Sequence, residues 1–176
     1  AVTKMFVDIR KQFDRLDVLI NNAGIASMNL AILTPMDKAE EILRTNVLGT
    51  FVFCREAFKL MKKGSFGRIV NFVTIATPLK LKGEAMYGAS KAAVENMTEI
   101  LAREFADWGI TVNAIGPAAV KTNLLRGIPE ETIAKLIKRQ AIKRYCEMED
   151  ISNTIDFFIN PKSSFVTGQI IYLGGV

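Results

Sequence analysis

Tyr87 and Lys91 stand four residues apart in a stretch rich in Ala, Glu, Lys and Met, from Tyr87 to Asp107, that reads as a helix. Four residues is little more than one helical turn, so both side chains project from one face and reach a common ligand. A phenol with an ordinary pKa near ~10 is neutral at pH 7, and a close ammonium favours its ionised form. Such a pair suits proton exchange with an alcohol or a carbonyl. By itself the spacing is a weak signal, because a tyrosine and a lysine one turn apart also make an ordinary surface pair. Thr74 adds to it: this hydroxyl ends an apolar run and can donate a hydrogen bond to a substrate oxygen in the same cleft.

Elements able to position these groups follow from the apolar pattern. Val2, Phe6, Ile9 and Phe13 recur at helical spacing, so the chain opens inside an amphipathic helix. Val18 to Ile20 reads as a buried strand ending in the turn Asn21-Asn22-Ala23-Gly24. Thr34 as cap and Pro35 at the first helical position open a long helix, carried by Ile42, Leu43, Val47 and Phe51 to about Met61. Gly64 to Gly67 is a loop, Ile69 to Val73 a second strand, and Thr74 to Met86 a longer connection of the kind that often carries function. The Tyr87 helix ends by Gly109, and strand three, Thr111 to Ile115, stops at Gly116-Pro117. After a loop to Pro129 come two helices, Glu130 to Arg139 and Glu149 to Ile159, with Pro161 just beyond, and a last strand, Gln169 to Leu173.

Strands alternating with helices predict one α/β domain over residues 1–176, a doubly wound parallel sheet covered on both faces. Ligands of such sheets bind outside the carboxyl ends of the strands. The segments to watch are therefore Asn21 to Ile25, Thr74 to Tyr87 and Gly116 to Arg126.

Composition narrows the function classes. The chain is 49% hydrophobic, enough for one sizeable core, yet no apolar run approaches the ~18 residues needed to cross a bilayer. A soluble protein without a membrane partner is expected, and the ends carry no secretory signal pattern, which points to the cytoplasm. Cys54 and Cys146 lack metal-ligand spacing and there is no histidine, so neither a metal site nor a disulfide framework is expected. A net charge of +5 favours acidic ligands weakly; a solvated basic surface is the plainer reading, and nucleic acid has little support.

Taken together, Arg68-Ile-Val-Asn-Phe-Val-Thr74, Tyr87-Gly-Ala-Ser-Lys91, Asn21-Asn-Ala-Gly24, Thr45-Asn46-Val, Pro117 to Thr122 and Thr167-Gly-Gln169 resemble the short-chain dehydrogenase/reductase family, and the match runs through nearly the whole chain. The resemblance implies a Rossmann-like fold, NAD or NADP as cofactor, and hydride exchange with a ketone or secondary alcohol. Tyr87 is then the acid/base, Lys91 the residue that holds the nicotinamide ribose and lowers the phenol pKa, and Thr74 a replacement for the usual Ser. Asn46 matches a position that anchors a water; read from residue type alone, it is a helix-distorting polar residue with a structural bond. Asn22, Ala23, Gly24, Pro117, Val120 and Thr122 match cofactor-contacting positions. Asn21, by contrast, reads as a tie between strands, and Asn113 as structural.

The family's Thr-Gly-x-x-x-Gly-x-Gly phosphate loop has no counterpart here, so the chain reads as the C-terminal portion of the fold with its first strands missing. Those strands would pair beside Val18 to Ile20, leaving an apolar edge without them. The pattern looks most like the 3-oxoacyl-thioester reductase branch, with a sugar, polyol or other secondary-alcohol dehydrogenase close behind and a non-catalytic cofactor-sensing or scaffolding relative as the reading from another class. An acidic acyl carrier would profit from cations beside the cleft, for which Lys62, Lys63 and Arg68 are candidates. The resemblance also implies a homotetramer built on the two long helices, with Phe51, Phe58, Met97 and Phe105 facing either that interface or the sheet.

Overall fold

A computed structural model describes residues 1–125 and 127–176. Arg126, which closes the segment Gly116 to Arg126, lies outside the described residues, as does the side chain of Asn123. Four parallel strands, β1 (Val18–Asn21), β2 (Gly67–Phe72), β3 (Ile110–Gly116) and β4 (Ile170–Tyr172), form one sheet in the order β1-β2-β3-β4. Parallel neighbours cannot be joined by a tight turn. The crossovers are helical: α1 (Val2–Phe13) precedes β1, α2 (Met36–Ile42) and α3 (Thr50–Met61) lead to β2, α4 (Ala76–Leu79) and α5 (Ala85–Phe105) to β3, and α6 (Glu130–Lys138) and α7 (Met148–Ile159) to β4.

Side-chain alternation divides the core into two layers. Ile69, Ile110 and Val112 face α1, α3 and α5 through Phe6, Ala57, Leu60, Leu101 and Phe105. Val70 and Ile115 point the other way, onto Phe158 of α7. Helices thus cover both faces, and the doubly wound, Rossmann-like architecture expected from the sequence is the one found. β3 is buried throughout and β2 nearly so, whereas β1 lies at the edge, with Ile20 41% exposed.

Three departures from the sequence reading have local causes. Thr34 does not cap the long helix: its hydroxyl donates to Leu30 O at 3.1 Å, and Pro35 occupies the N-cap position. The helix is also not continuous, because Leu43–Gly49 widens into a π-helical segment around Asn46. Third, the connection after Thr74 contains the short helix α4. Gly109, in contrast, ends the α5 region as expected, with φ +65, and an added Cβ there would meet Ser65 O at 2.4 Å. The four hydrophobics left between interface and sheet also separate. Phe105 is buried and stacks on Phe58 with ring centroids 4.4 Å apart, and Met97 packs on the same core. Phe51 is exposed.

Asn71 links the layers. Its Oδ1 accepts from Asn21 Nδ2 at 2.8 Å, and its Nδ2 donates to Thr98 Oγ1 at 2.9 Å, tying β1 to β2 and β2 to α5. Asn21 is the strand tie read from the sequence. Asn71→Ala removes one partner each from the part-buried Asn21 amide and the buried Thr98 hydroxyl, which keep bonds to Cys54 Sγ and Val94 O, so it is expected to cost about 1–3 kcal/mol in denaturant unfolding; a loss under ~1 kcal/mol would show that the linkage contributes little.

Candidate active site

The carboxyl ends of the strands open into a cavity of about 480 Å³. β1 runs out into Asn22 and Gly24, β2 into Thr74, and β3 into Pro117, Val120 and Thr122, while the first turns of α5 bring Tyr87 and Lys91. All eight of these residues line the one cavity. Ala23 is exposed and outside the lining. Asn46 is fully buried behind the wall, not on its surface.

Lys91 is buried and its Nζ donates to Phe72 O at 2.7 Å, which fixes the ammonium at the end of β2. Burial pulls its pKa down to about 8. The Tyr87 phenol is displaced in the direction opposite to the sequence expectation. Burial raises its pKa, the hydrogen bond with Thr74 lowers it, and the nearby Glu84 carboxylate raises it again. With desolvation the largest influence, the phenol keeps its proton. Thr74 is buried and its Oγ1 accepts from Ala76 N at 3.2 Å, so the first turn of α4 orients the hydroxyl.

Asn46 makes the structural bonds of its plainer reading. Its Oδ1 accepts from Ile25 N at 2.9 Å, and its Nδ2 donates to Ile25 O at 2.9 Å and to Ser90 Oγ at 3.0 Å. Ser90 Oγ in turn donates to Tyr87 O at 2.7 Å. The π-helical turn therefore splices the segment after β1 to the helix bearing Tyr87. Gly24 is needed for close approach: a Cβ there would lie 3.2 Å from Lys91 Nζ and 3.3 Å from Asn46 Oδ1. A backbone left bare over a partly satisfied ammonium is a cradle suited to the hydroxyls of a nucleotide ribose.

Other expectations move. Arg68 is 2% exposed, and its guanidinium donates to Gly67 O, Gly109 O and Pro161 O, so it is unavailable to an acidic partner. Lys62 and Lys63 precede β2 and thus lie at the end of the sheet opposite the cavity; Lys62 stands over the Phe58 and Trp108 rings. None of the three cations is beside the cleft. Asn113 is structural, donating to Val166 O at 2.9 Å and accepting from Gln169 N at 3.0 Å. Sequence reasoning missed the far wall, formed by Leu136 of α6 and by Met148, Ile151 and Ile155 of α7. An amphipathic pattern marks an apolar face without saying whether a sheet or a cavity receives it.

A parallel sheet with a cavity at its carboxyl ends is the layout of a doubly wound nucleotide-type fold. A family model described as Enoyl-(Acyl carrier protein) reductase matches residues 1–175. The 3-oxoacyl-[acyl-carrier-protein] reductase FabG of Staphylococcus epidermidis is 32% identical over 174 residues, covering 99% of this chain and 71% of the relative. The protein of the same name from Rickettsia bellii is 35% identical over 164 residues, covering 93% and 68%. The chain belongs to the short-chain dehydrogenase/reductase family, oxidoreductases that use a nicotinamide cofactor, and among its similar proteins are 3-oxoacyl-[acyl-carrier-protein] reductases. Among the described residues no helix is long and apolar enough to cross a membrane.

Proposed function

We propose that residues 1–176 form the C-terminal portion of a single reductase domain that exchanges hydride between NAD or NADP and a ketone or secondary alcohol, with Tyr87 as the acid/base. The observation that carries this reading is the gathering of Thr74, Tyr87 and Lys91 in one cavity with Asn22, Gly24, Pro117, Val120 and Thr122. When bound, the nicotinamide supplies or accepts the hydride. Tyr87 gives its Oη proton to the carbonyl oxygen in reduction and takes it back in oxidation. Thr74 donates a hydrogen bond to the same oxygen. Lys91, with donors left after the bond to Phe72 O, holds the ribose hydroxyls, and Asn22, Gly24, Pro117, Val120 and Thr122 border the cofactor. Ala23 stands between Asn22 and Gly24 just outside that border, and Asn46 fixes the turn and serves to anchor a water. A cytoplasmic homotetramer is the assembly proposed, supported by exposed Leu48 and Phe51 on the helix between β1 and β2 and by exposed Ile100 on α5.

A 3-oxoacyl thioester is the first substrate class, supported by the names of the relatives and by the apolar far wall. A sugar, polyol or other secondary alcohol is the second, with a carboxylate inside the cavity favouring the hydroxylated ones. The test is cofactor oxidation by full-length protein with acetoacetyl thioester against cyclic and sugar ketones. Consumption of any of these ketones is expected; nucleotide binding with no turnover of any would support the scaffolding reading instead.

A further inference from the structure

Besides Thr74, Tyr87 and Lys91, the cavity wall carries one more strongly polar group that the mechanism leaves idle. Glu84 is the N-cap residue of α5, but its side chain caps nothing: no side-chain bond to the helix N-terminus is made. It lines the cavity instead, and its Oε2 is buried with no hydrogen-bond partner among the described residues. The same cavity is lined largely by apolar side chains, Leu81, Leu124, Leu125, Leu136 and Ile155 among them, none of which offers a side-chain donor. Burial raises the Glu84 pKa, and its charge in turn raises that of Tyr87, so the two groups share one small space. An acceptor held in an apolar wall without a partner is costly unless something fills that position. Here the open side is the substrate's.

We propose that Glu84 selects the substrate by accepting a hydrogen bond from a hydroxyl or other donor carried beside the reacting carbonyl, so that hydroxy ketones and the matching diols are preferred. The proposal rests on the oxidoreductase reading of the same site and narrows it. A 3-oxoacyl thioester presents oxygen acceptors on both sides of its central carbon and leaves the carboxylate facing lone pairs. A hydroxy ketone brings the missing donor. Sites built around a buried hydrogen bond reject analogues that lack it far more strongly than apolar pockets reject a methylene.

The test uses 1-hydroxy-2-hexanone and 3-heptanone, which differ by a hydroxyl in place of a methyl. For full-length wild-type protein, kcat/KM is expected to be at least ~10-fold higher on the hydroxy ketone. In E84L the ratio should fall to about one, and in E84Q, whose amide oxygen still accepts, at least threefold from wild type, which keeps the test valid if E84L folds poorly. An unchanged ratio in both variants overturns the proposal, since a residue that only supports the fold scales both ketones alike. A second readout needs no turnover: 1,2-hexanediol should raise Tm more than 2-hexanol does, and Glu84→Leu should erase the difference. Retention of that difference in the variant also overturns the proposal. If no ketone is turned over, the oxidoreductase reading fails, and the diol measurement still decides for or against Glu84.

Discussion

Tyr87→Phe in the full-length protein is expected to lower kcat by roughly 10²–10⁴ while leaving nucleotide affinity close to wild type. The substitution keeps the ring and its packing and deletes only Oη, the atom proposed to move the proton. Because burial raises the phenol pKa, the group holds its proton at neutral pH and is poised to donate it. Ketone reduction should therefore proceed well at neutral pH, and alcohol oxidation, which needs the ionised phenol, should accelerate as pH rises. Steady-state rates in both directions, with nucleotide titration by fluorescence, check this. Full turnover in Tyr87→Phe would end the acid/base assignment.

Lys91→Met should reduce turnover by about 10²-fold or more and weaken nucleotide binding as well, unlike Tyr87→Phe, which affects the chemical step alone. The wild-type lysine makes a sharper prediction in its pH dependence. Its pKa lies at about 8 in the folded protein against an ordinary value of 10.5, so the ammonium is lost as pH rises through 8. Reductase activity should bend downward there. Stability moves the other way: between pH 8 and 10.5 the unfolded chain binds the extra proton, so the cost of burying the ammonium, complete below 8, is released as pH rises. Activity falling while the contribution of this residue to stability grows separates loss of charge from alkaline unfolding. An alkaline limb that stays in place in Lys91→Met would assign it to another group.

The strands were legible because buried parallel strands are short apolar runs with turn residues at their ends, as in Ile69 to Val73 and Thr111 to Ile115. α5 and α7 were legible from helical periodicity and from the stop signals at Gly109 and Pro161. The shared cavity was legible as far as its motifs are local: Tyr87 and Lys91 lie four residues apart on α5, and Thr74 follows closely on β2. What escaped depends on tertiary contact. The π-helical turn exists because Asn46 reaches across to Ile25 and Ser90, residues 21 and 44 positions away, and no periodicity reports such a bond. The position of Lys62 and Lys63 follows from strand direction, which places whatever precedes β2 at the end away from the cavity. The direction of the Tyr87 shift was misjudged because a lysine one turn away suggests charge pairing. In the fold that ammonium bonds Phe72 O, and dehydration is the largest influence on the phenol.

The relay from Ile25 through Asn46 and Ser90 to the carbonyl of Tyr87 has a mechanical side. If the proposed cofactor docks against the loop after β1, these hydrogen bonds join its seat to the first turn of α5, so its docking and the placement of the phenol are expected to be coupled. Amide exchange at the start of α5 should therefore slow on addition of nucleotide alone, before any substrate arrives, and Asn46→Ala should uncouple the two.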